Sequence, residues 1–265
     1  MGKLDDKVAV VTGAAEGNGC GAAIKLAEHG AKVMFFDIQD AVFDTAKKTG
    51  EKYNVETEAF VVDVRDFAAV KQAVEQIISK YSKIDILVNN AGVCNVVPFL
   101  DMDDATRDRM FDINIKGIWN CSKAIVPYMV KANYGKIVNM SSVTGAMVVD
   151  TGETAYATTK AAIWGFTKAL AVEFAESNIT ANAICPGYIH TSMAESIAKE
   201  SNPENPQAVL DGIAAAVPMK RLGTIEELGD VAVFLASDES RYITGTQIVI
   251  DGGSTLPESF SAVGV

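Results

Sequence analysis

Short runs of apolar and β-branched residues alternate with longer stretches of helical pattern from one end of the sequence to the other. Such runs are typical of strands buried on both faces, as in parallel sheets that helices cover on each side. Right-handed crossovers leave few topologies for this order, and the leading one is the doubly wound sheet. We therefore predict a single α/β domain, residues 1–265, with a Rossmann-like, doubly wound, seven-stranded parallel sheet and helices on both faces.

The same pattern predicts where the elements lie. Strands are expected at residues 8–12, 32–37, 58–64, 84–89, 135–141, 179–185 and 247–251. Helices are expected at residues 17–29, 41–53, 67–81, 104–133, 154–177 and 225–237. Residues 191–217, which carry Pro203 and Pro206, interrupt the alternation after the sixth strand. Because an insertion there overlies the ligand crevice of such a sheet, we predict a substrate lid; a surface excursion is the alternative.

Composition excludes several classes of protein. A net charge of −11 argues against binding to nucleic acid, whose phosphates require a basic face. The sequence has neither a signal-peptide core nor an apolar run near the roughly eighteen residues that cross a bilayer, so no membrane partner is expected. Its cysteines are widely spaced and its histidines lie near no cysteine pair, which predicts reduced thiols in a cytoplasmic protein and no metal site.

The first predicted strand leads into a glycine-rich turn that opens a helix. Gly13, Gly17 and Gly19 stand where glycine permits a tight turn and lets a pyrophosphate approach the positive end of the helix. Asp37 ends the second strand, where a carboxylate can accept hydrogen bonds from the adenosine ribose. Glu16 adds negative charge nearby, so a 2′-phosphate would be repelled and NAD is the predicted cofactor. Alternatively, Asp37 only caps the next helix.

Two further strand ends fit a nucleotide. Asp63 and Val64 end the third strand, where an aspartate can accept a hydrogen bond from the adenine amino group. Asn90, Ala91 and Gly92 follow the fourth strand, and small residues there let the backbone pass beside the ribose. Turn chemistry at strand ends is the alternative for both segments.

Tyr156 and Lys160 are one helical turn apart, so their side chains lie on one helix face about 6 Å from each other. A free phenol has a pKa near 10 and is a poor base at neutral pH. An ammonium beside it favours the phenolate and is expected to lower that pKa. The pair therefore predicts general acid–base chemistry, although an ordinary helix produces the same spacing.

Several motifs occur in a fixed order along the chain: TGAAEGNG, NNAG, DINIKG, MSSVTG and YATTK, together with Asp37, Asp63 and Pro186-Gly187. Together they closely resemble the short-chain dehydrogenase/reductase family in its single-domain form, over essentially the whole chain. The resemblance implies that Tyr156 is the general acid/base and that Lys160 lowers its pKa and binds the nicotinamide ribose. It also implies that Ser142 hydrogen-bonds the substrate oxygen and that Asn114 holds a water linking Lys160 to solvent.

The resemblance implies further contacts and an assembly. Thr191 is expected to bind the carboxamide of the nicotinamide. The family assembles as a homotetramer through helices that correspond to residues 104–133 and 154–177. The full set of residues expected at the cofactor is Gly13, Gly17, Asn18, Gly19, Asp37, Ile38, Asp63, Val64, Asn90, Ala91, Gly92, Tyr156, Lys160, Pro186, Gly187, Ile189 and Thr191.

Some residues depart from the family's pattern. Asn18 stands where an aliphatic residue is usual, so its amide either bonds the cofactor or tolerates a positive φ. Cys20 replaces a basic or small residue. The interval from Ser142 to Tyr156 is one residue longer than the commonest spacing, so the loop between them is expected to shape the pocket differently.

Apolar side chains flank the predicted reaction centre. The substrate residues are expected to be Ser142, Val149, Tyr188 and Met193, unless the apolar ones pack the lid against the body. They predict a largely hydrophobic secondary alcohol or ketone, with a hydroxysteroid as a candidate. The alternatives are a polyol or sugar dehydrogenase of the same family, an isomerase or dehydratase with tightly held NAD, and a regulator that binds NAD(H) without catalysis. Intact Ser142, Tyr156 and Lys160 argue against the regulator.

Overall fold

The structure, a computed structural model, describes residues 2–257 apart from the side chains of Met193, Ile197 and Glu200. Seven parallel strands form one sheet in the order β3-β2-β1-β4-β5-β6-β7. Their bounds are β1 (Val8–Thr12), β2 (Lys32–Asp37), β3 (Thr57–Val61), β4 (Ile86–Asn89), β5 (Gly135–Met140), β6 (Ile179–Pro186) and β7 (Gln247–Ile250). The predicted fold class is confirmed.

Helices connect the strands and lie on both faces of the sheet. They are α1 (Gly17–Glu28), α2 (Ala41–Tyr53), α3 (Phe67–Tyr81), α4 (Asp104–Phe111), α5 (Gly117–Ala132), the single turn α6 (Val143–Ala146), α7 (Thr154–Glu173), α8 (Ser192–Ser201), α9 (Pro206–Ala216) and α10 (Ile225–Ala236). None of the helices within residues 2–257 is both long and apolar enough to span a membrane.

The sheet is buried on both faces because each inner strand is apolar at successive positions. In β1, the fully buried Val11 belongs to a cluster with Ala22 and Leu26 of α1, while its neighbour Val10 faces a second cluster that contains Ile125 of α5. Successive side chains of a strand point to opposite faces, so an unbroken apolar run requires a layer of helices on each side.

Most predicted bounds agree with the observed ones to within a few residues, and three segments show instructive differences. The third strand ends at Val61 instead of residue 64, because residues 62–64 turn towards the open edge of the sheet. The predicted helix 104–133 is divided by a π-helical segment, Asp112–Lys116, between α4 and α5. The predicted lid, residues 191–217, contains the helices α8 and α9, which contact each other. Its movement stays a prediction.

Strand order reverses between β1 and β4, and a crevice opens there outside the carboxyl ends of the strands. The segments that follow β1, β2, β3, β4, β5 and β6 line this crevice, so six strand ends surround one space.

Candidate active site

A cleft of about 770 Å³ occupies the crevice at the carboxyl ends of the strands. It brings together most of the residues that the sequence assigned to the cofactor and the chemistry. Those that line it are Gly13, Gly17, Asn18, Asp37, Ile38, Asp63, Val64, Asn90, Ala91, Gly92, Ser142, Tyr156, Lys160, Pro186, Gly187, Tyr188, Ile189 and Thr191. Gly19, Asn114 and Val149 are not among its lining residues.

The glycine-rich turn after β1 packs so tightly against its neighbours that Gly13 and Gly19 have no room for a side chain. Gly13 has a φ of +64°, and a Cβ there would lie 2.9 Å from the Cα of Ala91 and 2.9 Å from the Nδ2 of Asn90. Asn90 fastens the turn, because its Nδ2 donates to the carbonyl oxygens of Thr12 at 3.1 Å and Gly13 at 3.0 Å. A Cβ on Gly19 would lie 2.0 Å from the Gly13 carbonyl oxygen. Gly19 therefore serves the packing of the turn.

The start of α1 fits a pyrophosphate. The residue before it, Glu16, is extended and makes no side-chain hydrogen bond to the helix. The backbone N–H groups of the first helical turn have no acceptor within the helix. They therefore remain available to donate hydrogen bonds to an anion. Gly17, with a φ of +59°, and Asn18 line the cleft at this point. The side-chain oxygen of Asn18 is buried and has no hydrogen-bond partner among the described residues.

The carboxylate of Asp37 is buried at the end of β2 and is fixed by two backbone amides. Its Oδ2 accepts from the amide of Ala15 at 2.9 Å, and its Oδ1 accepts from the amide of Gln39 at 3.0 Å. Since α2 begins after Asp40, Asp37 does not cap that helix. The exposed Glu16 lies close by, because it accepts a hydrogen bond from the Gln39 side chain at 3.3 Å.

Asp63 is paired with a residue that the sequence analysis missed. The Asp63 Oδ1 accepts from the Arg65 amide at 2.9 Å and from its Nε at 3.0 Å. The Oδ2 accepts from Nε at 2.9 Å and from Nη2 at 2.6 Å. This pairing, chiefly the side-chain hydrogen bonds, lowers the pKa of Asp63. A carboxylate offers about four acceptor positions. Arg65 supplies three N–H groups, one of which is shared between the two oxygens, so the adenine amino group would compete with Arg65 for Asp63. The contact between Asp63 and adenine stays a prediction.

The reacting side chains come from two adjoining elements. Ser142 follows β5, and its Oγ accepts from the amide of Thr144 at 3.1 Å, which leaves the hydroxyl proton free to be donated. Tyr156 and Lys160 lie on α7, with the Lys160 Nζ 5.5 Å from the centre of the Tyr156 ring. Lys160 is only 5% exposed, and its Nζ donates to the carbonyl oxygen of Met140 at 2.9 Å.

Burial dominates the electrostatics of this pair. It raises the pKa of Tyr156, with Cys94 and Glu153 adding to the rise and a hydrogen bond with Ser142 opposing it. Burial also lowers the pKa of Lys160 to about 8. The sequence predicted that the ammonium of Lys160 lowers the pKa of the phenol. In the structure the largest influence on that pKa is the loss of water around the phenol, which raises it.

Asn114 lies behind the cleft wall, within the π-helical segment, and is 1% exposed. Its Oδ1 accepts from the amide of Val93 at 2.8 Å. Its Nδ2 donates to the Val93 carbonyl oxygen at 2.9 Å and to the Thr159 Oγ1 at 3.0 Å. A Cβ on Gly92 would lie 3.2 Å from this Oδ1 and 3.7 Å from the Lys160 Nζ, so Gly92 separates the two side chains. The water-holding role of Asn114 stays a prediction.

The end of the cleft beside Tyr156 is more polar than expected. Val149 is 59% exposed and lies outside the lining, which its neighbour Val148 joins instead. The side chain of Met193 lies outside the described part of the structure. Residues that the sequence analysis did not assign to this end are Cys94, Arg109, Asp150 and Glu153. Arg109 lies on α4, which is distant in sequence from Asp150 and Glu153.

Comparisons with known proteins agree with the resemblance seen in the motifs. The family profile described as Enoyl-(Acyl carrier protein) reductase matches residues 13–255. Oxidoreductase UcpA of Salmonella typhimurium is 57% identical over 265 residues, which covers 100% of both chains. The 3-oxoacyl-[acyl-carrier-protein] reductase FabG of Thermotoga maritima is 39% identical and covers 96% of this chain and 100% of its own. L-Sorbose reductase from Gluconobacter frateurii, solved with NADPH and L-sorbose, has a TM-score of 0.91 and 31% identity, covering 96% of this chain and 98% of that one.

Proposed function

Because the chain belongs to the short-chain dehydrogenase/reductase family, we propose that it is an NAD(H)-dependent oxidoreductase that interconverts a secondary alcohol and its ketone. One observation carries the proposal. Ser142, Tyr156 and Lys160 line one end of a cleft whose other end holds the fixed carboxylate of Asp37. A dinucleotide that spans the cleft would bring its reactive ring to the hydroxyl groups.

The side chains divide the proton chemistry between them. Tyr156 donates its proton to the substrate oxygen during reduction and takes it back during oxidation. Burial raises the pKa of Tyr156, so the phenol is protonated at neutral pH and its proton is available to a ketone oxygen. Ser142 donates its hydroxyl proton to the same oxygen, which stabilises negative charge as it develops there. The ammonium of Lys160 donates one of its three N–H groups to the carbonyl oxygen of Met140. The other two remain available to the hydroxyl groups of the cofactor ribose. When bound, the nicotinamide supplies or accepts the hydride.

Charge supports NAD over NADP. The carboxylate of Asp37 is buried and fixed at the cleft, and Glu16 lies next to it. A phosphate about 5 Å from Asp37 would be repelled by roughly 3 kcal/mol per unit charge at an effective dielectric constant of 20. The L-sorbose reductase that resembles this chain was solved with NADPH, and the Kd values of this protein for NAD⁺ and NADP⁺ test the proposed preference.

The first candidate substrate is a largely hydrophobic ketone or alcohol, such as a hydroxysteroid. Val148 and the half-exposed Tyr188 line the cleft near Tyr156 and provide apolar surface for it. A second candidate, a polyol or sugar, is favoured by the carboxylates of Asp150 and Glu153 at the same end. Carboxylates accept hydrogen bonds from hydroxyl groups and repel anionic substrates.

The experiment is a screen of steroids, cyclic ketones, sugars and polyols by NADH absorbance, with Tyr156→Phe as the inactive control. Turnover by the parent and not by Tyr156→Phe supports the proposal. NAD(H) binding without turnover of any compound would favour the regulator instead. Equal turnover by both proteins would exclude Tyr156 as the general acid/base. Glu153→Gln separates the substrate classes, because a polyol would lose an acceptor and turn over more slowly, whereas a steroid would not.

The assembly and location follow from the same family. We propose a homotetramer formed through α4–α5 and α7. Trp119 of α5 is 56% exposed and stacks on Phe166 of α7 with ring centres 5.5 Å apart, so the two helices share an apolar outer surface. All four cysteines are free, which suits the reducing cytoplasm.

A further inference from the structure

Asn18 carries a buried hydrogen-bond acceptor that nothing in the described structure satisfies. An unpaired buried polar atom costs about 1–3 kcal/mol, so one that persists calls for an explanation. Asn18 lines the cleft and is the second residue of α1. The partner of its oxygen is therefore expected to be a ligand that enters the cleft.

A conformational explanation does not hold for this residue. Asparagine tolerates a positive φ, which was the other interpretation of Asn18. Within the described residues, the positive φ values of this turn belong to Gly13 and Gly17, and Asn18 has helical geometry. Because this alternative does not apply, the remaining interpretation is that the side-chain amide of Asn18 binds the cofactor.

The chemistry of the acceptor narrows the choice of ligand group. The unsatisfied atom is an oxygen, so its partner must donate a hydrogen bond. A pyrophosphate offers only acceptors at neutral pH. On NAD the donors are the ribose hydroxyls, the adenine amino group and the amino group of the carboxamide, and the adenine group is expected beside Asp63, after the third strand. The ribose hydroxyls and the carboxamide therefore remain as partners for Asn18.

Position favours the carboxamide. Gly17 precedes Asn18, and a Cβ on Gly17 would lie 3.8 Å from the Cγ2 of Thr191, so Asn18 lies beside the Gly17–Thr191 side of the cleft. Thr191 is the residue expected to bind the carboxamide, whereas Lys160, which has N–H groups for the ribose, is held on Met140 at the end of β5. An asparagine side chain and a carboxamide are also complementary, because each presents a C=O and an NH₂ group.

We propose that Asn18 binds the carboxamide of the nicotinamide ring by accepting a hydrogen bond from its amino group. The inference rests on the proposed NAD(H) dependence and assigns one residue that fixes the ring's orientation. The contact makes Asn18 a positioning residue: it selects dinucleotides with an amide on the ring and does not take part in proton transfer.

The test measures equilibrium binding by calorimetry, with no turnover. Its ligands are NAD⁺ and 3-acetylpyridine adenine dinucleotide, which has a methyl group in place of the amino group. Asn18→Leu should raise the Kd for NAD⁺ about tenfold, the loss of one buried hydrogen bond, and leave the Kd for the acetylpyridine analogue within about twofold. Cys20→Ala, in the same turn of α1 but outside the cleft lining, should change neither value.

Two results would overturn the inference alone. An equal rise in the Kd values of Asn18→Leu for both dinucleotides would mean that Asn18 contacts the ribose or the backbone of the turn. An unchanged Kd for NAD⁺ would mean that its oxygen makes no contact with the cofactor. If the parent protein bound neither dinucleotide, the proposed cofactor would be wrong. The inference about Asn18, which depends on that cofactor, would then be wrong too. The ligand-free Asn18→Leu protein should melt no lower than the parent, since the substitution removes an unpaired buried group.

Discussion

The ammonium group of Lys160 donates a hydrogen bond to the carbonyl oxygen of Met140 at 2.9 Å. The contact ties α7 to the end of β5 and holds the charge beneath the ring of Tyr156, 5.5 Å from its centre. A fully buried ammonium with one carbonyl partner has lost most of its hydration, and its pKa falls to about 8. Lys160 is therefore expected to oppose folding while it stays charged.

The stability of the protein should consequently depend on pH through Lys160. The unfolded chain binds this proton up to about pH 10.5, whereas the folded chain releases it near pH 8. Between these values the unfolded state holds more protons, so the free energy of unfolding contributed by Lys160 rises with pH. Below pH 8 the charged lysine costs roughly 3 kcal/mol.

Lys160→Met tests this dependence by urea denaturation at pH 7, 8, 9 and 10. The variant should gain most relative to the parent at pH 7, and its advantage should shrink as the pH approaches 10. Lys168→Met removes an exposed lysine from the same helix and controls for the change in net charge. A difference that stays constant or widens with rising pH would contradict the assignment.

Tyr156 is expected to supply the proton and little of the binding. Tyr156→Phe removes the hydroxyl and should lower kcat by about 10²–10⁴-fold while the Kd for NADH changes less than about threefold. The measurements are steady-state kinetics on the substrate found in the screen and fluorescence titration of NADH. Ser142→Ala provides the comparison, because it should lower kcat by a factor of about 10²–10³ through the lost oxygen contact. An unaltered kcat in Tyr156→Phe would rule out this proton donor.

The preference for NAD should depend on charge at the end of β2. Asp37→Ala combined with Glu16→Arg removes the carboxylate and brings a cation to its neighbourhood. The ratio of the Kd values for NADP⁺ and NAD⁺ should fall at least about tenfold, since roughly 3 kcal/mol of repulsion is removed. Calorimetric titration of both dinucleotides measures the ratio. Phe43→Ala, on the adjoining helix and outside the cleft lining, should leave it unchanged.

The sequence predicted the sheet well because its strands are buried on both faces. In β1 and β2, unbroken apolar runs stop at Thr12 and Asp37, and the predicted bounds agree with the observed ones. The pattern fails after β3, where Val62 and Val64 remain apolar although the chain has left the strand. Those side chains pack against helices on one face, and a Cβ on Gly117 would lie 2.6 Å from Val64, so burial continues beyond the hydrogen-bonded ladder.

The site was predictable where function depends on motifs and less so where it depends on side-chain geometry. Most of the predicted cofactor residues reach the cleft because they follow the ends of neighbouring strands. No spacing rule indicated that Arg65 would hydrogen-bond the carboxylate of Asp63. None indicated that Arg109 of α4 would line the cleft. In the loop after β5, apolar residues occur in sequence, and nothing in the sequence distinguished Val148, which lines the cleft, from Val149, which does not.

The pairing of Arg65 with Asp63 predicts how the protein treats the adenine amino group. Since Arg65 already donates to both oxygens of Asp63, deamino-NAD⁺, with a carbonyl in place of that amino group, should bind within about twofold of NAD⁺. Arg65→Ala frees the carboxylate, and NAD⁺ should then bind about fivefold more tightly than the deamino compound. Lys71→Ala on α3, outside the cleft lining, controls for the loss of one charge. If the parent protein bound NAD⁺ much more tightly than deamino-NAD⁺, Asp63 would have to break its pairing with Arg65 in order to bind the adenine.

The exposed apolar surface of α5 and α7 should hold the subunits together. Trp119 is 56% exposed and contacts Phe166 across the two helices, which leaves a large aromatic surface in water unless another chain covers it. In the proposed tetramer a charge placed there would have to be buried without a partner, so Trp119→Glu should convert that tetramer to smaller species. Sedimentation velocity at several protein concentrations measures the change. Phe43→Glu is the matched control, because Phe43 is 53% exposed but lies on α2. A parent protein that sediments as a monomer, or a Trp119→Glu variant that remains tetrameric, would show that subunits do not meet at this surface.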